Sequence, residues 1–240
     1  ETQQLIDSLQ IRRGNPNLKP LTAIDNSLTY NMRLGILSTN LHVSHSYQDN
    51  PFMEEVIREN DKFVRTVNNQ KSWQRMATEL EIKVGPIKDI FTVSFTNGLR
   101  YFDSKGNNYH HTHTNWYYRI EAMANYKNFS AVFQIQNHMN NLYGETLFHN
   151  ENFHILGVNY RHKNLTVGVM SLNPFVDNWK SGWENVGAYT PSKNWHYMKE
   201  SSRLFAVKMS YTFSFGRKYQ AASKRLNNED TQSGVMSGGK

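Results

Sequence analysis

The residues of this chain that could do chemistry are few and scattered. Tyr109, His110, His111 and His113 form its one histidine cluster, and neutral imidazoles at such spacing can hold a transition metal. His111 and His113 would share a strand face, yet no carboxylate or cysteine completes a set at ligand spacing. The better reading is a solvated outer loop and no metal. Glu79 with Glu81, and Arg119 with Glu121, would stand side by side on one face of a strand, as an acid–base pair can. Cross-strand ion networks of this kind are ordinary sheet lining, however. No Gly-Xaa-Ser-Xaa-Gly, phosphate loop or nucleotide fingerprint occurs, so we expect no catalytic residue, no cofactor and no enzyme. The acceptor patterns at Asn128-Phe129-Ser130 and Asn164-Leu165-Thr166 fall on tight turns and carry no weight. The first choice for ligand contact is the connection from Asn173 to Glu200, which places Trp179, Trp183, Tyr189, Trp195 and Tyr197 among polar residues. The rival reading of those rings is that they pack together to order a long loop, or meet lipopolysaccharide.

Composition narrows the class. The chain has 240 residues, a net charge of +7, no cysteine and 13% aromatic residues. Its mean hydropathy of −0.70 and the lack of any apolar run near ~18 residues exclude a helical membrane span. A β-barrel is compatible with that average, because its inward half stays polar. The positive charge suits an acidic membrane surface, lipopolysaccharide or nucleic acid. No Lys/Arg block interleaves with stacking aromatics, so nucleic acid is not expected as a partner.

The pattern that organises the chain is strict alternation. From Phe205 to Phe215, odd positions are apolar or aromatic, and even positions after Ala206 are polar. Successive strand side chains point to opposite faces, so this run has one apolar and one wet face. About nine such runs occur: 24–34, 36–47, 73–84, 90–101, 113–126, 129–143, 153–160, 165–172 and 205–215. The third sets Met76, Leu80, Ile82 and Val84 against Arg75, Glu79, Glu81 and Lys83. A charged face this dense is costly to bury in a dry core but suits an aqueous lumen. In the seventh, Phe153 and Ile155 fall out of phase with Leu156, Val158 and Tyr160.

The connections alternate in length. Leu34-Gly35, Gly85-Pro86-Ile87-Lys88, Lys127-Asn128 and Lys163-Asn164 read as tight turns. Long connections cover roughly 48–71, 102–112, 144–151 and 173–203, and a short helix is expected around Phe52–Ile57. Asn97-Gly98 is a good hairpin signal, but Phe91 and Tyr101 keep one phase across it, so a bulge or bend is expected. Short turns at one end and long loops at the other are the rhythm of an outer-membrane barrel. An odd number of antiparallel strands cannot close without a parallel seam. The expectation is therefore an incomplete barrel section whose missing strands precede Glu1, where no signal-peptide pattern is present.

Several segments resemble a family. Arg13-Gly14-Asn15-Pro16-Asn17-Leu18-Lys19-Pro20, Asn115-Trp116-Tyr117-Tyr118-Arg119, Asn141-Leu142-Tyr143-Gly144-Glu145 and Leu172-Asn173-Pro174-Phe175 are similar to the C-terminal part of TonB-dependent receptor-like outer-membrane barrels of Bacteroidota. That group carries a carboxypeptidase-regulatory-like domain ahead of plug and barrel. The ending Ser210 to Lys218, followed by Arg225 to Asp230, is the most specific piece. The resemblance implies an all-β antiparallel up-and-down meander of about nine long strands, a section of a plugged barrel of roughly 22 strands. Residues 1–21 would be an outer loop segment, 22–216 the transmembrane section and 217–240 a disordered periplasmic tail. No plug or TonB box is present, so energised uptake of a nutrient is implied for a longer parent protein.

Combining alternation and resemblance, Phe91, Phe95, Trp116, Tyr118, Ile120, Phe205, Tyr211, Phe213 and Phe215 are expected to face lipid. Arg75, Glu79, Glu81, Lys83, Arg119 and Glu121 are expected to face the lumen. The implied place is the cell outer membrane. The implied partners are its lipid and lipopolysaccharide, the TonB system and a surface lipoprotein. The competing reading is a soluble or surface-exposed β-sandwich module that binds carbohydrate or peptide.

Overall fold

The computed structural model describes residues 3–213 and Phe215. In chain order its strands are β1 (Gln3–Leu5), β2 (Gln10–Arg13), β3 (Thr22–Leu34), β4 (Leu37–Asp49), β5 (Phe52–Glu59) and β6 (Lys62–Asn69). There follow β7 (Ser72–Ile87), β8 (Phe91–Lys105), β9 (His110–Tyr126), β10 (Phe129–Gln136), β11 (Asn141–Tyr143) and β12 (Thr146–His149). The last are β13 (Phe153–His162), β14 (Leu165–Leu172), β15 (Lys180–Asn185), β16 (Ser192–Tyr197) and β17 (Leu204–Tyr211). A single 3-10 turn at Lys199–Ser201 is the one helical element among the described residues.

Nine strands form one antiparallel sheet in the order β17-β14-β13-β10-β9-β8-β7-β4-β3. Skipping the strands that lie within the long connections, this is an up-and-down meander. Among the described residues the sheet does not close, and β3 and β17 are its two edges. Pairing locks the alternation of one strand onto the next. Ile82, Phe95, Ile120 and Ile135 form one cross-strand row. Val84, Val93, Ala122, Phe133 and Leu156 form another. A one-residue slip would send each of these to the other face, so the register is set by the stripe itself. On the opposite face lie Glu81, Thr96, Arg119 and Gln136, then Lys83, Ser94, Glu121 and Gln134.

The segment before β3, expected as a loop, and the long connections build two further sheets of four strands each, β1-β2-β6-β5 and β11-β12-β15-β16. These caps lie over the polar face near one end of the wall. Between caps and wall sits the core: Met53, Val56, Val64, Phe102, Tyr117 and Leu142 are the buried apolar side chains among the described residues. The Trp73 indole N–H donates to the Leu142 carbonyl at 2.8 Å, and the Tyr143 hydroxyl to the Phe52 carbonyl at 3.2 Å. Buried Gln70 ties the cap together. Its side-chain amide donates to Glu55 at 2.7 Å and its carbonyl accepts from the Asn107 N–H at 2.8 Å.

Several local expectations are corrected. Residues 52–57 form β5 of a hairpin instead of a helix, because Val56, Ile57, Phe63 and Val64 favour strand and Asn60 takes the left-handed φ of 54° at the turn. The sixth wall strand stops at Gln136, and Asn141–Tyr143 pairs with β12 in a cap. The second tight turn is at Lys88–Ile90, with the register shift between Val84 and Ile87. At Asn97-Gly98 the pairing runs on without bulge or bend. Gly98 has another purpose: a Cβ there would overlap the Tyr117 ring. Phe153 and Ile155 stay in one strand with Leu156 and Val158, simply on its other face. Ordered pairing of the last strand ends at Tyr211, and the expected tail 217–240 lies outside the described residues.

The Gly98–Tyr117 fit generates a double-mutant test. Gly98→Ala should lower stability of the folded chain by about 1–3 kcal/mol through overpacking. In a Tyr117→Ala background the same change should be neutral or stabilising. Urea unfolding monitored by circular dichroism gives all four values.

Candidate functional site

Two surfaces could carry function: the capped end with its rings and histidines, and the two-faced wall beneath it. The histidine cluster is divided by strand pleating. His110 turns to the apolar side of β9, where its Nε2 lies 2.8 Å from Asp103 Oδ1. His111 and His113 share the capped face, as expected. His111 Nε2 is 3.3 Å from Glu145 Oε1 and its ring stacks on Tyr109 at 5.2 Å. His113 stacks on Phe102 at 6.4 Å. Among the described residues no three metal-ligating side chains converge. Tyr109 is a packing residue. Burial pushes its phenol up to about 12, and the neutral hydroxyl donates to the Met53 sulfur at 3.2 Å.

The five aromatic residues proposed for ligand contact do not form one platform. Trp179 fastens the loop, its indole N–H donating to the Asn152 carbonyl at 2.8 Å. Trp183 lies on one face of the β11-β12-β15-β16 sheet, and Trp195 with Tyr197 on the other, because Trp195 pairs with Gly182. Trp195 packs on His149 at 5.0 Å, with Lys180 Nζ 4.4 Å and Lys193 Nζ 5.4 Å from its centroid. A Cβ at Gly182 would collide with the Asn194 carbonyl first and then with the Trp195 ring, so glycine is needed for this close approach. Tyr197 is exposed, and Tyr189, also exposed, leans on Phe63 at 6.3 Å. Tyr189 also borders a cavity of about 250 Å³ lined by Glu55, Val56, Tyr109, His111 and Glu145.

One feature of this end was missed in the sequence. Asn141, Phe148, Trp183 and Asn194 are aligned across all four strands of that cap. Phe148 and Trp183 are both exposed. Two rings flanked by amides can stack on an apolar or sugar face and hydrogen-bond at its rim. The alternation in Thr146-Leu147-Phe148-His149 was the available signal.

The wall sorts the remaining residues by face. Arg75, Glu79, Glu81, Lys83, Arg119 and Glu121 all stand on the polar side. There the Tyr117 hydroxyl donates to Glu79, Arg119 Nε donates to Gln136 Oε1 at 2.9 Å and Ser94 Oγ to Glu121 Oε2 at 3.3 Å. These are lining contacts. On the other side Phe91, Phe95, Trp116, Phe205 and Tyr211 are exposed, while Tyr118 and Ile120 are half-buried; Phe213 and Phe215, beyond the end of β17, are exposed as well. Trp116 is 52% exposed although β9 is paired on both sides, and Phe205 on the edge strand β17 is 70% exposed.

With the geometry in hand, the chain was compared with protein-family models, curated proteins and solved structures, and none matches.

The Trp195 face of the small cap sheet also carries the Glu184 carboxyl. Hydrogen bonds from Lys193 and His149 hold the Glu184 carboxyl below its usual range. A depressed carboxyl stabilises the fold above its ordinary pKa, and that stability is lost as pH falls through the folded value. The pair is partly exposed, so the effect should stay below about 1 kcal/mol. Amide-exchange protection of β15 and β16, corrected for intrinsic rate, should fall between about pH 5 and pH 3. Glu184→Gln should remove that dependence; equal protection of the parent at both pH values would refute it.

Proposed function

We propose that this chain contributes a section of the wall of a transmembrane β-barrel in the cell outer membrane, as part of a TonB-dependent receptor-like transporter. The observation that carries this reading is the uncovered apolar stripe. Its side chains run from Leu28 and Tyr30 on β3 through Phe95 and Trp116 to Phe205 and Met209 near the other edge, all exposed. Fully burying a large apolar side chain is worth about 1.5–3 kcal/mol, so leaving it half exposed forgoes roughly 1 kcal/mol. Over the whole stripe this reaches on the order of 20 kcal/mol, above the ~5–15 kcal/mol net stability of a typical domain. An apolar cover would recover that energy, a patch of this size marks an interaction surface, and hydrocarbon suits strands of this length.

The sandwich reading needs a second protein layer on the same stripe. The two caps instead sit against Trp73, Phe102 and Ser104, on the polar side. That placement favours the barrel. The caps then become outer loops, and the exposed Phe148, Trp183, Tyr189 and Tyr197 become their solute-contact candidates. The role is binding and passage without bond chemistry. Coupling to TonB, and any partner lipoprotein, comes from the resemblance in the sequence.

Two measurements test this reading together. The refolded chain should enter the detergent phase on partitioning. Within lipid vesicles, Ile120→Lys, near mid-strand, should cost about 2–4 kcal/mol. A chain that stays monomeric in plain buffer, with Ile120→Lys inside the ~0.5 kcal/mol of a water-facing change, would remove the membrane reading.

A further inference from the structure

The charges of this molecule are treated differently at its two ends. Every ion pair among the described residues, from Arg13–Glu59 to Arg203–Asp177, lies at the long-connection end. The opposite end carries Lys88, Lys127 and Lys163 at the tips of three successive tight turns, and none of them is in an ion pair there. Asp89 is the one carboxylate within those turns.

The backbone makes this placement informative. Lys88, Lys127 and Lys163 take φ of 49°, 50° and 50°. That left-handed region favours Gly or Asn, and an L side chain with a Cβ is strained in it. The first tight turn solves the same problem with Gly35, at φ 60°. Turn geometry therefore does not ask for lysine at these positions, and local strain of this sort points toward function.

What lies beside the lysines indicates the partner. Tyr126, Phe129 and Tyr160 form a cross-strand row on the apolar face, Tyr126 and Phe129 one and two positions from Lys127 and Tyr160 three from Lys163. Tyr126 and Phe129 are exposed, and Lys127 Nζ lies 5.2 Å from the Tyr126 ring. Aromatic rings at the edge of an apolar belt with cations just beyond it are the arrangement that meets headgroups. We infer that the three turn-tip lysines bind the phosphates of anionic phospholipids in the leaflet on the tight-turn side. The inference rests on the membrane reading and adds to it which lipid class that leaflet offers.

The test is equilibrium folding of the full chain from urea into phosphatidylcholine vesicles, with and without phosphatidylglycerol. The parent should favour the anionic vesicles. The triple variant Lys88→Asn, Lys127→Asn, Lys163→Asn should lose that preference by on the order of a hundred-fold at low salt, from about five-fold per lysine. Asn suits the left-handed φ, so stability in neutral vesicles should hold or rise. The matching Lys→Arg variant should keep the parent's preference. Residues 214–240 are the same in all three chains, so their charge cancels. A parent indifferent to phosphatidylglycerol, or an Asn variant that keeps the preference, overturns the inference while leaving the membrane reading standing. A parent that inserts into neither vesicle removes both.

Discussion

The constraint on which everything here depends is the two-residue pleat of a paired strand. Once Ile82, Phe95, Ile120 and Ile135 are in register, Glu81, Thr96, Arg119 and Gln136 have no choice but the other face. Nine strands linked this way produce a wall with two incompatible surfaces. One hydrogen-bonds with itself and with water. The other is mostly apolar, interrupted by Thr39, Thr78 and Asn97, and much of it is exposed. Fold and function are therefore argued from the same fact.

The caps show how the chain handles its one dry interior. Met53 stands at its centre, meeting the Ser104 and Tyr109 hydroxyls, with Gly144 beside it at a left-handed φ of 63°. Several polar groups drawn under the caps are paired, Gln70 to Glu55 and Asn107, Trp73 to Leu142, Asn173 to His154, while His113 Nε2 is buried without a hydrogen-bond partner. Pairing of that kind lets long connections order themselves without a large hydrophobic core. Ordered caps can hold Phe148, Trp183 and Tyr197 outward, whereas loose loops would collapse such rings onto one another.

Much of the wall was legible in the sequence because alternation is a period-two signal that survives without tertiary context. The nine runs correspond to the nine strands of the sheet, and the seventh kept one phase once Ile155 is seen on the capped face. Resolution failed where tertiary packing decides. Gly98 carried a turn signal, but the Tyr117 ring lying over it holds the strand extended. Residues 52–57 lack clean alternation, and only pairing with Val64 and its neighbours makes them a strand. The rings at the capped end were found as a composition and not as a site. Which face each takes depends on the pairing of β15 with β16, and spacing alone does not specify that. The resemblance to TonB-dependent receptor-like barrels implied an antiparallel meander, and the nine-stranded sheet is one; the barrel, the family and the transporter role are our proposal.

The absence of cysteine from the sequence makes the central claim directly measurable. Single cysteines placed in turn at 116 to 121 on β9, in vesicle-reconstituted protein, can be labelled with a spin probe and relaxed by lipid-soluble oxygen or by a water-soluble paramagnet. The account predicts an alternation of period two: positions 116, 118 and 120 reached by oxygen, and 117, 119 and 121 reached from water or shielded by protein. Positions 116, 118 and 120 reached from water, or shielded from both reagents by a second protein layer, would contradict it.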